Sequence, residues 1–340
     1  MRKMQNTLYI VSDDLLLSLE NDNAVVRRDD MVVNRFPLHT LETVVTFSRK
    51  GITVPFISAC ASHEIPIFIM SVNGNLISKI SVPSQGSILL RKNQYRISDQ
   101  PEKSGQIAAS FVTGKLRNQK HMIDRFLWEH PDHPDLREAS GHIHSLLRTV
   151  SSSHDISILR GLEGTASAAY YSCFQYFIRN DSECFRFHGR SRRPPLDRTN
   201  AMLSFGYSLL TAECIAALES VGLDASAGFF HQDHVGRKSL ACDLVEEFRP
   251  IIVDRFVLHM INEHIIHPDH FDLRPDGSVL MNHDGRKVFL HHWQLNRKKE
   301  IMHPYLQETV SLGLLPYAQA VILARTVRGD IPEYQPFFRR

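Results

Sequence analysis

Apolar residues in the first quarter of the chain come in short, β-branched runs. They are Leu8 to Val11, Leu15 to Leu19, Val25-Val26, Val32-Val33, Val44 to Phe47 and Ile67 to Met70. The separators Asp13-Asp14, Asn21-Asp22-Asn23 and Asn73-Gly74 are turn chemistry, and Asn-Gly between apolar runs is a strong hairpin signal. One helix interrupts this pattern at Val54 to His63, where Thr53 stands at the cap and Pro55 in the first turn.

Beyond Val82 the apolar spacing changes to three and four. Ile107, Phe111, Ile123, Phe126, Leu127, Leu146 and Leu147 fit helical faces. The same spacing runs through Leu159 to Phe177, Met202 to Leu218 and Leu240 to Ile261, with Pro250 kinking or opening the last of these. The pattern predicts an α+β chain. A strand-rich N-terminal domain over 1–83 leads through a linker and first helix at 84–104 into a larger, mostly α-helical domain over 105–340. A polar break is expected at Ser98 to Ser104, and a small β insertion over Phe271 to Leu290, where Pro275-Asp276-Gly277 and Asp284-Gly285 separate short apolar runs.

Composition narrows the function classes. A formal net charge of +2 on 340 residues gives no warrant for a polyanionic partner, so any basic surface has to be local. Five cysteines without a C-x-x-C pair argue against a disulfide framework and a cysteine-based zinc site. With no secretory leader and no apolar run near the roughly 20 residues that cross a bilayer, a cytoplasmic protein without membrane contact is expected.

The chemistry concentrates in Gly228-Phe-Phe-His231 and Ser239-Leu-Ala-Cys-Asp243-Leu-Val-Glu246-Glu247. An imidazole and several carboxylates stand here in one loop-to-helix unit, with Ser239 as the expected N-cap. Acidic residues early in a helix are favoured by its dipole, which accounts for Asp243 but less well for Glu246 beside the line Leu240, Leu244, Phe248. Glu247 is placed to share the face of Asp243. Glu163 stands beside the apolar stripe of an earlier helix, between Gly161 and Gly164, glycines that suggest a close approach to the backbone. Two carboxylates and an imidazole suit Mg2+ or Mn2+ better than a closed zinc site. Nineteen histidines make chance clusters common, and the prolines inside His130-Pro-Asp-His133 and His267-Pro-Asp-His270 mark those as turns. Arg190, Arg192, Arg193 and Arg198 surround prolines that forbid regular helix, and Arg237-Lys238 adjoins the acidic helix. These six cations are the candidate phosphate contacts.

Gly228-Phe-Phe-His231, Gly236-Arg-Lys-Ser-Leu240 and Asp243-Leu-Val-Glu246-Glu-Phe-Arg-Pro250 together resemble the signature of the CRISPR-associated integrase family, the nuclease of spacer acquisition. Leu162-Glu163-Gly164 resembles its first motif. Arg190 to Asp197 and Asn200 to Phe205 resemble the intervening one, although Arg198 stands where the family often has proline. The N-terminal opening and the ending Arg328 to Phe337 look most like the version accompanying the I-C subtype. The resemblance covers nearly the whole chain. It implies metal ligands at Glu163, His231 and Glu246, a supporting catalytic acid at Asp243, and Mg2+ or Mn2+ as cofactor. It also implies double-stranded DNA as substrate, a homodimer through the β domain, and a small ferredoxin-like partner protein. Two other classes fit the same residues: a structure-specific repair nuclease acting on branched DNA, and a non-catalytic DNA-binding scaffold.

Overall fold

The computed structural model describes residues 6–71, 74, 76–80, 88–179 and 183–339. The N-terminal region contains two sheets. One is a meander of β2 (Leu16–Glu20), β3 (Asn23–Arg28) and β4 (Met31–Pro37). Its turns sit at Asn21-Asp22 and Asp29-Asp30, where all four residues have positive φ, the backbone that tight hairpins require of their central pair. In the other sheet the order is β1 (Thr7–Ile10), β5 (Thr43–Thr46), β6 (Ile67–Met70), β7 (Leu76–Ile80); the first three are parallel and β7 returns antiparallel.

Parallel pairing of β5 with β6 requires a crossover, and α1 (Val54–Ser62) supplies it. Its Phe56 and Cys60, four residues apart, are buried in a core with Leu8, Leu17, Val44 and Ile67. Thr53 is the N-cap by position but its side chain accepts no cap hydrogen bond, so Pro55 alone marks the start. Asn73 of the expected Asn-Gly turn lies outside the described residues, as do Ser81 to Ser87, where the boundary between regions was expected. The polar break is narrow: α2 (Ile88–Ser98) ends and α3 (Pro101–Glu129) begins with only Asp99 and Gln100 between them.

The 29-residue α3 is the spine of the helical region. It packs against α4 (Pro134–Val150), α5 (Ile156–Ser172) and α7 (Ser239–Phe248). Beside it, α6 (Arg198–Ser220) packs on α7 and on α10 (Leu315–Arg328). Helix α6 is apolar and long enough to cross a bilayer by length and composition, contrary to the expectation that no segment comes near. The share of its most apolar window that is buried is 72%, which makes it a core helix of this fold. The β region continues into the same core, where Phe47 of the strand region stacks on Phe205 of α6 at 5.7 Å.

Pro250 has no N–H for the Glu246 carbonyl, and α7 opens there into a π-helical turn, Arg249–Asp254, before resuming as α8 (Arg255–Asn262). The β insertion is shorter than expected. Strands β8 (Phe271–Leu273) and β9 (Val279–Met281) form the hairpin around Gly277. Asp284-Gly285 is instead the first turn of α9 (His283–Arg297), because the Asn282 side chain accepts from the Gly285 N–H at 2.9 Å and starts a helix. A second hairpin, β10 (Glu300–His303) with β11 (Glu308–Ser311), was not anticipated. No disulfide joins the cysteines among the described residues.

Candidate active site

Helix α5 starts at Asp155, whose carboxylate accepts from the N–H groups of Ser157 and Ile158 at 2.7 and 3.3 Å. Two turns on, Glu163 faces α3, and there its carboxylate receives the ammonium group of Lys115 together with the Ser167 hydroxyl at 2.9 Å. The same ammonium stands 2.6 Å from Glu246 on α7. Lys115 is only 4% exposed and lies on the buried stripe of α3 with Ala108, Phe111, Val112 and Gln119. Two carboxylates from separate helices thus meet at one buried cation. The expected close approach to the flanking glycines is not seen, since no atom lies within 4 Å of where a Cβ would stand at Gly161 or Gly164.

Glu246 has a second cation, Arg249, with its Nε 3.3 Å away. Burial alone raises a carboxyl pKa, but Arg249 and Lys115, with a smaller effect from His231, outweigh it and hold Glu246 down at about 2. Lys115 answers in kind: burial disfavours its charge, and Glu246 and Glu163 more than compensate, so it stays an ammonium. Arg249 is braced from behind, its guanidinium 4.6 Å above the ring of Tyr207. Tyr207 and Tyr170 both donate to the buried carboxyl of Asp254, whose pKa burial lifts to about 6 against those hydrogen bonds.

Asp243 is fully buried and accepts four hydrogen bonds. The backbone N–H groups of Phe229, Phe230 and His231 donate to it at 2.7, 3.0 and 2.8 Å, and the His231 ring donates through Nδ1 at 2.7 Å. One carboxylate thereby sets the loop and the ring together. With Nδ1 committed as donor, Nε2 is the nitrogen left for a ligand. Gly228 is required here, because a Cβ would stand 3.1 Å from Asp243 and 2.5 Å from the His231 carbonyl oxygen. The helix begins one residue earlier than expected, with Lys238 at the cap position, and the Ser239 hydroxyl donates instead to the Gln232 carbonyl at 2.9 Å.

The expected residues therefore fall into two linked groups: Glu163 with Glu246 around Lys115, and His231 with Asp243, joined by the one helical turn from Asp243 to Glu246 on α7. Among the described residues, no three His, Cys, Asp or Glu side chains are already gathered as a metal shell, because an ammonium stands between the two carboxylates. The donor set itself, two carboxylate oxygens and an imidazole nitrogen with its tautomer fixed, fits a hard divalent ion. Glu247 belongs elsewhere. It accepts from Tyr334 Oη, Gln319 Nε2 and the Phe337 N–H at 2.5, 3.0 and 2.7 Å, and so fastens the C-terminal segment.

The six candidate cations also divide. Arg190 donates to Asn200 Oδ1 at 2.6 Å and Ser204 Oγ at 3.1 Å, and Arg198 donates to the Cys184 carbonyl at 3.1 Å. Lys238 donates to Ser226 at 3.1 Å. Arg192, Arg193 and Arg237 are exposed, and among the described residues Arg192 and Arg193 form no ion pair. Asn200 is the hub of the arginine loop, also accepting from Ser191 N–H at 3.1 Å and donating to Gly189 O and Asp197 at 2.8 and 2.6 Å. An open groove of about 480 Å3, lined by Ser167, Tyr171, Gly189 and Arg192 among others, reaches the hydroxyl that touches Glu163. The two histidine boxes are turns: His133 stands at the start of α4, and His267 and His270 cap a short helical turn.

Lys115 was missed by sequence reading, although a lysine at the i+4 position from Phe111 on an apolar stripe was the available signal. Arg249 was read only as part of the motif, although its i+3 spacing from Glu246 was a signal, and Asp254 was missed for want of one.

Comparison with known proteins supports a single family. The profile described as CRISPR associated protein Cas1 matches residues 8–295. A CRISPR-associated endonuclease Cas1 from Rhodospirillum rubrum is 41% identical over 345 residues, covering 99% of both chains. Among solved structures, a casposase bound to its integration product has a TM-score of 0.85 at 21% identity, over 98% of this chain and 93% of that one. A Cas6-RT-Cas1–Cas2 complex gives 0.83 at 24% identity, over 99% of this chain and 36% of that one. With the profile spanning most of the sequence and a relative matching it from end to end, the chain belongs to the Cas1 family of CRISPR-associated endonucleases.

Proposed function

We infer that this protein is a metal-dependent DNA integrase that inserts short duplex fragments into a CRISPR repeat array. The observation that carries this reading is the meeting of Glu163 and Glu246 at one buried cation position, beside an imidazole whose tautomer Asp243 fixes. Glu163, Glu246 and His231 Nε2 would hold Mg2+ or Mn2+. When bound, such an ion polarises a phosphodiester oxygen and stabilises the charge that develops on the transferring phosphoryl group.

The rest falls to the chain's own residues. Arg192, Arg193, Arg237 and Lys238 meet backbone phosphates, which positions DNA without reading its sequence, and the groove past Ser167 leads a strand toward Glu163. Arg190 and Arg198, tied to Asn200 and Cys184, act on DNA by holding the loop that carries their neighbours. Asp243 keeps the His231 ring turned and its Nδ1 protonated. A donor 3′-oxygen then forms a bond to phosphorus as the bond to the target strand's 3′-oxygen breaks, and the proton lost by the attacking hydroxyl reaches the leaving oxygen through solvent. Water in place of the hydroxyl gives cleavage.

Residues 1–83 are the proposed dimerisation domain and 105–340 the catalytic domain, joined through 84–104. The edge strand β4 supports this, since it exposes Met31, Val32 and Val33 at 72, 41 and 54%. A small ferredoxin-like protein completes the assembly, a proposal supported by the solved complex in which a similar chain is named with Cas2. Action on the genome puts the protein in the cytoplasm.

The test is strand transfer by purified protein in Mn2+ or Mg2+, with a short duplex and a supercoiled plasmid bearing the repeat. Joining is expected, and Glu163→Gln and His231→Ala should abolish it with folding intact. Full activity in either variant refutes the ligand assignment. Cleavage of branched DNA without joining favours a repair nuclease, and metal-independent binding alone favours a scaffold.

A further inference from the structure

A cavity of about 430 Å3 shares no lining residue with the carboxylate site or with the arginine loop. It lies under α8 and the C-terminal half of α3. Its floor is apolar: Met122 and Phe126 are half-buried there, against the buried Phe177, Ile251 and Phe256. Phe126 presents a ring whose edge contact to Phe177 spans 5.5 Å between centroids.

The rim is cationic. Arg125 from α3, Arg255 from α8, Lys299 just after α9 and Arg339 from the C-terminal segment come from four parts of the chain to one opening. Among the described residues, none of these four side chains forms an ion pair or donates a hydrogen bond. Arg179 also lines the cavity but is paired with Glu129 at 3.1 Å, and the remaining carboxylates are Glu263 and Glu300. His121, His259, Asn262 and Asn296 complete the polar lining. The cations crowd one another: burial, then Arg339 and Arg125, hold His121 below its ordinary pKa against Asp124, and burial with Arg125 lowers that of Arg339. A bound anion relieves this repulsion.

An apolar, aromatic floor under unpaired guanidinium groups is matched by a flat base joined to a phosphate. The volume is within the roughly 300–1,000 Å3 of small-molecule sites. An intact duplex offers phosphates but keeps its bases stacked inside, so the floor is reached only by a nucleotide out of the stack. We propose that this cavity binds one unpaired nucleotide, its base on Met122 and Phe126 and its phosphate between Arg125, Lys299 and Arg339. That the nucleotide belongs to a DNA strand rests on the integrase reading; the nucleoside-monophosphate chemistry does not.

Binding is measured in EDTA, which separates this site from any metal at Glu163. The probes are a fluorescein-labelled oligo(dT) and a blunt duplex of equal length. Arg125→Ala/Lys299→Ala/Arg339→Ala should weaken single-strand binding about tenfold or more and flatten its salt dependence, with duplex affinity changed less than about twofold. An oligo(dT) carrying 5-iododeoxyuridine should photocrosslink to the wild-type peptide 121–129, a readout that needs no variant to fold. Thymidine monophosphate that blocks the crosslink assigns a free nucleotide to the site, and failure to block assigns a strand. Unchanged single-strand affinity, equal loss on both probes, or crosslinks mapping outside the cavity overturns the proposal. Strand transfer is read with metal and the crosslink in EDTA, so failure of the metal site and failure of this one are distinguishable.

Discussion

Replacing Lys115 by methionine removes the ammonium at the centre and keeps an unbranched apolar stem of similar length. Lys115 is 4% exposed and serves Glu163 and Glu246 at once. Taking away one member of a buried ion pair strands the other charge, at about 3–5 kcal/mol. Here Glu246 retains Arg249 at 3.3 Å and Glu163 retains the Ser167 hydroxyl, so the lower end applies. At roughly 2 °C per kcal/mol for a large domain, about 3 kcal/mol lowers Tm by about 6 °C. The sharper signature is cation dependence. In Lys115→Met the carboxylates are open to a divalent ion, whereas in the wild type that ion has to displace an ammonium. Mn2+ should therefore restore most of the lost stability in the variant and raise the wild type less. The acid limb should move too. Glu246, held at about 2 against a usual 4.5, contributes stability that is present above 4.5 and lost as pH falls through about 2. Without Lys115 the folded pKa rises toward 4.5, so the acid loss is smaller and is complete at higher pH. Differential scanning fluorimetry in EDTA and in Mn2+ measures both effects. A variant that melts with the wild type in EDTA, or that gains no more from Mn2+, refutes the reasoning.

Asp243→Asn puts an amide N–H against donors that the carboxylate now satisfies, costing about 2 kcal/mol and freeing the His231 ring. Strand-transfer kcat should fall with KM little changed, and an unaltered kcat removes Asp243 from its positioning role. Burial lifts the Glu247 pKa to about 8 against its three hydrogen bonds, so its contribution to stability is full below 4.5 and lost as pH rises through about 8. Glu247→Gln should flatten the melting temperature across that window; an identical slope in variant and wild type contradicts this. Arg192→Ala/Arg193→Ala should weaken duplex binding and reduce its salt slope by about one unit for each phosphate the loop no longer neutralises. Arg190→Ala should instead lower Tm, because it empties the hydrogen bonds to Asn200 and Ser204. Loss of affinity from Arg190 alone, with Tm unchanged, would reverse the division between them.

Much of the fold was legible because local periodicity follows local burial. The strands from Thr7 to Met70 and the crossover helix at Val54 lie where the short β-branched runs and proline placed them, and Pro250 opens the helix as its missing donor requires. Local rules failed where two local signals competed. Asp284-Gly285 reads as a turn, yet Asn282 caps a helix through it. The apolar length of α6 passes for a membrane span, and only its neighbours show that it fills a core.

The sequence by itself determined the strand-rich start and the helical body that follows it, the helix carrying Asp243 and Glu246, and the family motif around His231. It could not assign partners to buried charges, since these come from segments remote in the chain. Lys115 and Glu163 stand 48 positions apart, and no local pattern joins them. Glu246 and Glu247 are neighbours of identical chemistry, but successive helical residues point about 100° apart, so one meets Lys115 and Arg249 and the other Tyr334 and Gln319. Arg190 and Arg192 part in the same way, one tied to α6 and one open to solvent. Which charge a side chain meets, and whether water reaches it, is fixed by packing between helices, and that is what the tertiary structure alone decided.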